Sequence, residues 1–266
     1  MTKDNSKGTA IITGASSGIG LAYAAKLAQR GYDLILVARR KDRLDIEAKR
    51  LSDTHNRQVT TISADLTKPA DLRQIEELLS TRGDVSLLVN NAGVGAIGSL
   101  LDVSVDAMDD LIKINVVALT RLSHAAVTAF SHQKRGTIIN IGSIIAFKPA
   151  NTAAAYAGSK SYVLSFSRSL QSQLKDSGIT VQVVLPGPVR TEFFTASGVS
   201  PSIFPDAHFA TAEEIVEAAL LGLDRNEQIC IPSLSDVGDW DAYDAAQRRL
   251  AEVISDGHPS GRYGTS

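Results

Sequence analysis

The stretch Thr13-Gly14-Ala15-Ser16-Ser17-Gly18-Ile19-Gly20 (TGASSGIG) joins the first predicted strand, Thr9–Thr13, to a predicted helix that begins at Gly18. Glycines at these positions let the backbone turn tightly and approach a ligand closely. The helix start behind them offers free N–H groups and the positive end of the helix dipole, which together bind phosphate. The stretch lacks the G-K-[ST] ending of a P-loop. Its place between a strand and a helix therefore favours a cradle for a dinucleotide pyrophosphate over a plain glycine-serine turn.

Outward from this turn, short apolar runs alternate with longer helical patterns. The predicted strands are Thr9–Thr13, Asp33–Ala38, Val59–Ala64, Ser86–Asn90, Thr137–Ile141, Thr180–Leu185 and Gln228–Ile231. The predicted helices are Gly18–Arg30, Asp42–Thr54, Asp71–Thr81, Val105–His132, Ala153–Asp176, Ala212–Leu223 and Asp239–Ile254. Continuous apolar strands that alternate with helices indicate a parallel sheet covered on both faces. The order predicts an α/β protein of the doubly wound Rossmann type, with about seven parallel strands.

The same pattern predicts the domain organisation. No internal linker is long enough to divide the chain, so residues 1–255 are predicted to form a single nucleotide-binding domain. Asp256–Ser266 is rich in glycine and serine. This last segment is interpreted as a mobile tail, with docking on a partner subunit as the alternative.

Composition places the chain among ordinary globular proteins. It has 266 residues, of which 44% are hydrophobic and 21% charged, and a formal net charge of −2. This charge gives no support for nucleic-acid binding, and no run approaches the roughly 18 apolar residues of a membrane-spanning helix. A single cysteine, scattered histidines and a polar N-terminus predict a cytoplasmic protein without a disulfide or a metal site.

The end of the second predicted strand carries Arg39 and Arg40, where NAD-binding units place an acidic residue. A carboxylate at this point would repel a 2′-phosphate, whereas an arginine pairs with it. The pattern therefore favours NADP(H) over NAD(H), with Arg39 as the leading contact and Arg40 as the second. The alternative is that both arginines are simply solvated at the start of a helix.

Tyr156 and Lys160 lie one turn apart on one face of the second long predicted helix. A phenol ordinarily has a pKa of about 10, and an ammonium group within about 4–6 Å is expected to lower it. Ser143, at an earlier strand end, supplies a hydroxyl that can hold a substrate oxygen. These groups suit proton transfer to or from a carbonyl or alcohol oxygen. Taken alone, such a pair is more often a packed tyrosine beside a solvated lysine.

Together these motifs resemble the short-chain dehydrogenase/reductase family, from about residue 8 to residue 235. The matching segments are Thr13–Gly20, Asp65-Leu66, Asn90-Asn91-Ala92-Gly93, Asn115, Ser143, Tyr156 with Lys160, and Pro186-Gly187-Pro188-Val189-Arg190-Thr191. The resemblance implies a catalytic set made of Ser143, Tyr156, Lys160 and Asn115. With the arginine pattern, it implies a cofactor site made of Gly14, Ser16, Ser17, Gly18, Ile19, Gly20, Arg39, Arg40, Asp65, Leu66, Asn91, Ala92, Gly93, Tyr156, Lys160, Pro186, Gly187, Val189 and Thr191.

The resemblance also implies a role for each catalytic residue in hydride transfer between a nicotinamide and a substrate carbon. Tyr156 would donate or remove the proton, and Ser143 would hold the substrate oxygen. Lys160 would bind the nicotinamide ribose and lower the pKa of Tyr156. Asn115 would hold a water in a relay to Lys160, although an asparagine at this place also fits a helix kink. Asp65 would contact the adenine ring.

The segment Thr191–Ala210 is interpreted as a mobile lid over the substrate pocket. The resemblance implies that Thr191 contacts the nicotinamide carboxamide. It carries four aromatic side chains, Phe193, Phe194, Phe204 and Phe209. They either line an apolar pocket or pack the lid onto the domain.

The predicted function is an NADP(H)-dependent oxidoreductase that interconverts an apolar ketone or aldehyde and a secondary or primary alcohol. The alternatives are an NAD-dependent alcohol dehydrogenase of the same fold and a non-catalytic, NADP-sensing regulatory protein. The family resemblance further implies a homotetramer or a homodimer.

Overall fold

The computed structural model describes residues 7–200, 202, 204–255 and 257–264. The chain separates into two compact units, Met1–Pro232 and Ser233–Ser266. All predicted site residues belong to the first unit. The prediction of a single domain to residue 255 is not tested by this division and stays a prediction.

The first unit is built on a seven-stranded sheet in which every neighbouring pair of strands is parallel. Its strands are β1 (Thr9–Thr13), β2 (Asp33–Ala38), β3 (Val59–Ser63), β4 (Val85–Asn90), β5 (Gly136–Ile141), β6 (Ile179–Val184) and β7 (Ile229–Cys230). The spatial order is β3-β2-β1-β4-β5-β6-β7. The order reverses between β1 and β4, which is the point where doubly wound sheets open a crevice for ligands. The predicted fold class is confirmed.

Helices cover both faces of the sheet. They are α1 (Gly18–Gln29), α2 (Lys41–His55), α3 (Pro69–Thr81), α4 (Val105–Ile112), α5 (Leu119–Gln133), α6 (Ala154–Gln173), α7 (Phe193–Ala196) and α8 (Ala212–Asp224). Side chains alternate along β1: Ala10 and Ile12 join a core with α1, α2 and α8, whereas Ile11 joins a core with α3 and α5. Both faces of the strand are therefore buried, which explains the continuous apolar sequence of the strands.

The predicted long helix Val105–His132 is not continuous. Between α4 and α5, Lys113–Ala118 forms a π-helical turn. Turns of this kind are rare in proteins, and those that occur often lie at functional sites. This one contains Asn115, so the structure corrects the expectation of an unbroken helix at a predicted site residue.

The second unit contains α9 (Val237–Val253), close to the predicted helix Asp239–Ile254, and a short 3₁₀ turn at Gly261–Tyr263. Part of the predicted tail, Asp256 and residues 265–266, lies outside the described residues, as do residues 1–6 and Pro201 and Ile203 of the predicted lid. Among the helices that the structure describes, none combines the length and apolarity needed to cross a membrane.

Candidate active site and cofactor cleft

A cavity of about 900 Å³ opens at the carboxyl ends of the central strands. Nearly all the predicted cofactor residues line it, from the first turn through the segment that ends at Thr191. Two predicted site residues, Gly20 and Asn115, are buried behind its wall. The fold therefore brings motifs that are far apart in the sequence around one space.

The glycine positions of the first turn after β1 leave no room for a side chain. Gly14 and Gly18 adopt positive φ angles of 66° and 55°, a conformation that glycine takes without strain. A Cβ at Gly20 would press on the carbonyl oxygen of Gly14 and lie 2.5 Å from Nδ2 of Asn91. The side chain of Ser17 does not cap α1. The N–H groups at the helix start therefore stay available to a ligand.

The loop after β4 is fastened to this turn. Thr13 Oγ1 accepts hydrogen bonds from the backbone N–H groups of Asn91 and Ala92, both at 3.0 Å. The Asn91 amide donates to the carbonyl oxygen of Thr13 at 2.9 Å. These hydrogen bonds fix the position of this loop, up to Gly93, at the edge of the crevice.

The arginine end of the cavity holds a contact that the sequence did not predict. Arg40 Nη1 donates to Glu192 at 2.7 Å, and Arg40 Nη2 donates to the hydroxyls of Ser16 and Ser17 at 3.1 and 3.0 Å. Arg39 is exposed on the same wall. Because Glu192 is 152 residues away from Arg40 in the chain, no local pattern signals this ion pair.

Asp65 and Leu66 follow the end of β3 and line the cavity. Asp65 Oδ1 accepts hydrogen bonds from the backbone N–H and the hydroxyl of Thr67, at 3.0 and 2.8 Å. Burial alone would raise the pKa of Asp65, but the bonds from Thr67 and the charges of Arg39 and Lys68 lower it overall. The carboxylate is therefore held ionised and fixed in direction at the predicted adenine end.

Ser143, Tyr156 and Lys160 line the same cavity. Ser143 follows β5, while Tyr156 and Lys160 project from α6. The Lys160 ammonium is buried, donates to the carbonyl oxygen of Ile141 at 2.9 Å and lies 5.7 Å from the centre of the Tyr156 ring. The ring of Tyr156 is also 5.4 Å from the ring of Phe193.

The pKa values of this set differ from the prediction. The surrounding protein raises the pKa of Tyr156 to about 12, although its hydrogen bond with Ser143 opposes the shift. Burial lowers the pKa of Lys160 to about 8. The predicted lowering of the Tyr156 pKa by Lys160 is therefore wrong, because loss of water around the phenol has the larger effect and the ammonium is bonded to Ile141.

Asn115 lies in the π turn and is buried. Its Oδ1 accepts from the backbone N–H of Val94, and its Nδ2 donates to the Val94 carbonyl and the Ser159 hydroxyl, at 3.0, 3.0 and 3.1 Å. A Cβ at Gly93 would lie 3.3 Å from Asn115 Oδ1 and 3.7 Å from Lys160 Nζ. The side chain thus anchors the Gly93–Val94 loop beside Lys160, while the predicted water relay stays a prediction.

The segment after β6 closes the cavity over the first turn. Pro186 accepts a backbone hydrogen bond from Ile144 at 3.1 Å, next to Ser143. Val189 is buried, and Pro186, Gly187 and Thr191 line the cavity. The Thr191 hydroxyl accepts from the backbone N–H of Phe193 at 3.3 Å.

The aromatic residues of the predicted lid form one connected cluster, in which Phe193 packs edge-on against Phe194 with ring centres 5.6 Å apart. Phe193 packs against Tyr156, with ring centres 5.4 Å apart. Phe194 packs edge-on against Phe204 and Phe209, with ring centres 5.8 and 5.5 Å apart. Phe193, Phe194 and Phe204 line the cavity, and the contacts among the four rings hold the segment together.

Comparison with known proteins agrees with this geometry. The family model for short chain dehydrogenase matches residues 8–199. A short-chain dehydrogenase from Sphingobium yanoikuyae, solved in complex with NADPH, is 41% identical with a TM-score of 0.92, and the match covers 96% of this chain and 100% of that one. A bulky-bulky ketone specific alcohol dehydrogenase from Comamonas testosteroni is 37% identical with a TM-score of 0.88, over 96% and 98% of the two chains.

A curated relative carries a different description. Inactive hydroxysteroid dehydrogenase-like protein 1 from Homo sapiens is 35% identical over 191 residues, which are 71% of this chain and 58% of that protein. This chain thus matches somewhat more than half of that relative's length. The matching family model and the fold lead to one conclusion: the chain belongs to the short-chain dehydrogenase family.

Proposed function

We propose that the protein is an NADP(H)-dependent oxidoreductase that interconverts an apolar carbonyl compound and its alcohol. The observation that carries the proposal is the meeting of Ser143, Tyr156 and Lys160 in the same cavity that the glycine turn lines. A cytoplasmic location and a homotetrameric or homodimeric state are part of the same proposal.

The residues of the cleft fit a nicotinamide dinucleotide. The turn at Gly14 and Gly20 excludes side chains and leaves a helix start open to phosphate. Arg39 and Arg40 border the end that would receive a 2′-phosphate, and the relative from Sphingobium yanoikuyae was solved with NADPH. When bound, the cofactor supplies or accepts the hydride.

The chain's own groups handle the proton. The pKa of Tyr156 is raised to about 12, so its phenol carries a proton near neutral pH that it can donate to a carbonyl oxygen, although the shift itself makes the phenol a weaker acid. The Ser143 hydroxyl, hydrogen-bonded to the same phenol, is placed to hold that oxygen. Lys160 uses one N–H on Ile141 and has further donors for the ribose of the cofactor.

The walls around the catalytic groups favour a bulky apolar substrate. Ile97, Ile144, Ile145, Phe193 and Phe204 line the cavity. A ketone with sizeable apolar substituents would bury surface against these side chains, which is the main source of affinity in such pockets. The ketone-specific relative from Comamonas testosteroni supports this substrate class.

A non-catalytic regulatory role is the second candidate, because several relatives are described as inactive. A Tyr156→Phe variant separates the two functions when NADPH oxidation is followed over a panel of ketones and aldehydes. The proposal expects turnover to fall by about 100-fold or more, since that is the usual contribution of an acid–base group. Tyr162→Phe is the matched control, because Tyr162 is on the same helix but its hydroxyl bonds to Thr120 at 2.7 Å.

Turnover that survives in Tyr156→Phe would remove the tyrosine from the mechanism. Absence of turnover in the wild type across the panel, together with NADPH binding, would favour the regulatory role. Tighter binding of NADH than of NADPH would overturn the NADP preference.

A further inference from the structure

Glu192 joins the start of the lid to the adenosine end of the cavity. It follows Thr191 directly, and its carboxylate accepts a hydrogen bond from Arg43 Nη1 at 2.6 Å and another from Arg40 Nη1 at 2.7 Å. These two arginines together lower the pKa of Glu192. The carboxylate is therefore an ionised group held between two guanidinium groups at the edge of the cleft.

Arg40 is shared between this carboxylate and the first turn. Its second terminal nitrogen donates to the hydroxyls of Ser16 and Ser17. Both terminal nitrogens are thus engaged, one by Glu192 and the other by the two serines. A phosphate monoester that approached the same guanidinium would carry a charge of about −1.5 to −2 near pH 7. It would meet a negative carboxylate already bound to the group that should receive it.

We propose that Glu192 is a specificity-determining residue, which competes with the 2′-phosphate of the cofactor for Arg40. This inference rests on the proposed preference for NADP(H) and says what limits it. With Glu192 in place, a 2′-phosphate must displace the carboxylate before it can bind the guanidinium group, and this lowers the affinity for the phosphate. NAD(H), which lacks that phosphate, does not meet this competition.

The exposure of the pairs sets the size of the effect. The side chains of Arg40, Arg43 and Glu192 are 40%, 46% and 51% exposed. Ion pairs at such exposure are individually weak. Removing the carboxylate charge should therefore improve the affinity for a 2′-phosphate by about three- to tenfold.

The test uses two adenosine fragments that differ in the 2′-phosphate. Adenosine 2′,5′-bisphosphate and adenosine 5′-monophosphate are titrated calorimetrically into the wild type, Glu192→Gln and Glu217→Gln. Glu217 is a matched control, because it also forms an exposed ion pair, with Lys26 at 3.3 Å, but does not line the cavity. Circular dichroism checks that all three proteins are folded.

The expected result is tighter binding of the bisphosphate by Glu192→Gln alone, with unchanged binding of the monophosphate by all three proteins. An unchanged bisphosphate affinity, or a weaker one, would overturn the inference and indicate that Glu192 only positions Arg40. If neither the wild type nor Glu192→Gln prefers the bisphosphate, the NADP preference itself fails. A wild type that prefers the bisphosphate with no gain in Glu192→Gln refutes only the competition.

Discussion

Replacing Lys160 by methionine should change how the free energy of unfolding depends on pH. The Lys160 ammonium is buried, and burial lowers its pKa from 10.5 to about 8. In the unfolded chain the same group keeps its proton to higher pH. Between these two values the unfolded state binds more protons than the native state, so the wild type gains stability as the pH rises.

The size of this gain follows from the shift in pKa. The full difference corresponds to about 3 kcal/mol, and about 2–3 kcal/mol of it should develop between about pH 7 and about pH 10. Methionine has a similar length and no charge to bury. The substitution also removes the hydrogen bond to Ile141. This loss should lower the free energy of unfolding by a similar amount at every pH, so it should change the slope of stability against pH far less.

The assay is urea unfolding of both proteins at the two pH values. The stability of the wild type relative to Lys160→Met should rise by about 2–3 kcal/mol from the lower pH to the higher one. Lys26→Met removes an exposed ammonium that pairs with Glu217 and should show no comparable change. Parallel pH curves for the wild type and Lys160→Met would refute the reasoning, because they would mean that burial does not shift the pKa of Lys160.

Two further predictions concern catalysis and cofactor binding. The kcat/KM for carbonyl reduction with NADPH should stay level from about pH 6 to 7.5 and fall as the pH passes about 8. The reason is that Lys160 loses its proton near pH 8 while Tyr156 keeps its own. A profile that stays level to about pH 10 would contradict this prediction. Gly20→Ala should weaken NADPH binding by about 10- to 100-fold in a fluorescence titration, since its methyl group would lie 2.5 Å from Asn91 Nδ2. Gly158→Ala adds a methyl group that meets nothing within 4 Å, so equal affinities in the two variants would exclude the steric explanation.

The strands could be predicted from the sequence because they are short apolar runs bounded by glycines and polar turns. The observed bounds of β1 and β2 equal the predicted ones, and β4 begins one residue earlier than predicted, at Val85. The positions of the cleft residues followed from the fold, since the carboxyl ends of parallel strands meet at one edge. The local sequence was sufficient to predict these elements, because each strand or helix has its own period of apolar residues.

The features that the sequence did not reveal depend on contacts between distant segments. Asn115 bonds to Val94 across 21 residues, and the π turn around it leaves no mark on helical periodicity. The pairing of Arg40 with Glu192 depends on how the lid returns to the first turn. The raised pKa of Tyr156 comes from enclosure by the whole cleft, which no spacing between a tyrosine and a lysine can report.

The π turn at Lys113–Ala118 also bears on how this protein tolerates a change in chain length. A π turn contains about one more residue than an α-helical turn, so the segment is equivalent to a single-residue insertion in a straight helix. Deleting one residue from it would let α4 and α5 join as one regular helix with their buried faces still directed at the core. Asn115 would then be turned away from Val94, and the loop beside Lys160 would lose its anchor. The packing of α4 and α5 would thus tolerate the shorter chain, whereas the anchoring of the loop beside Lys160 requires the additional residue.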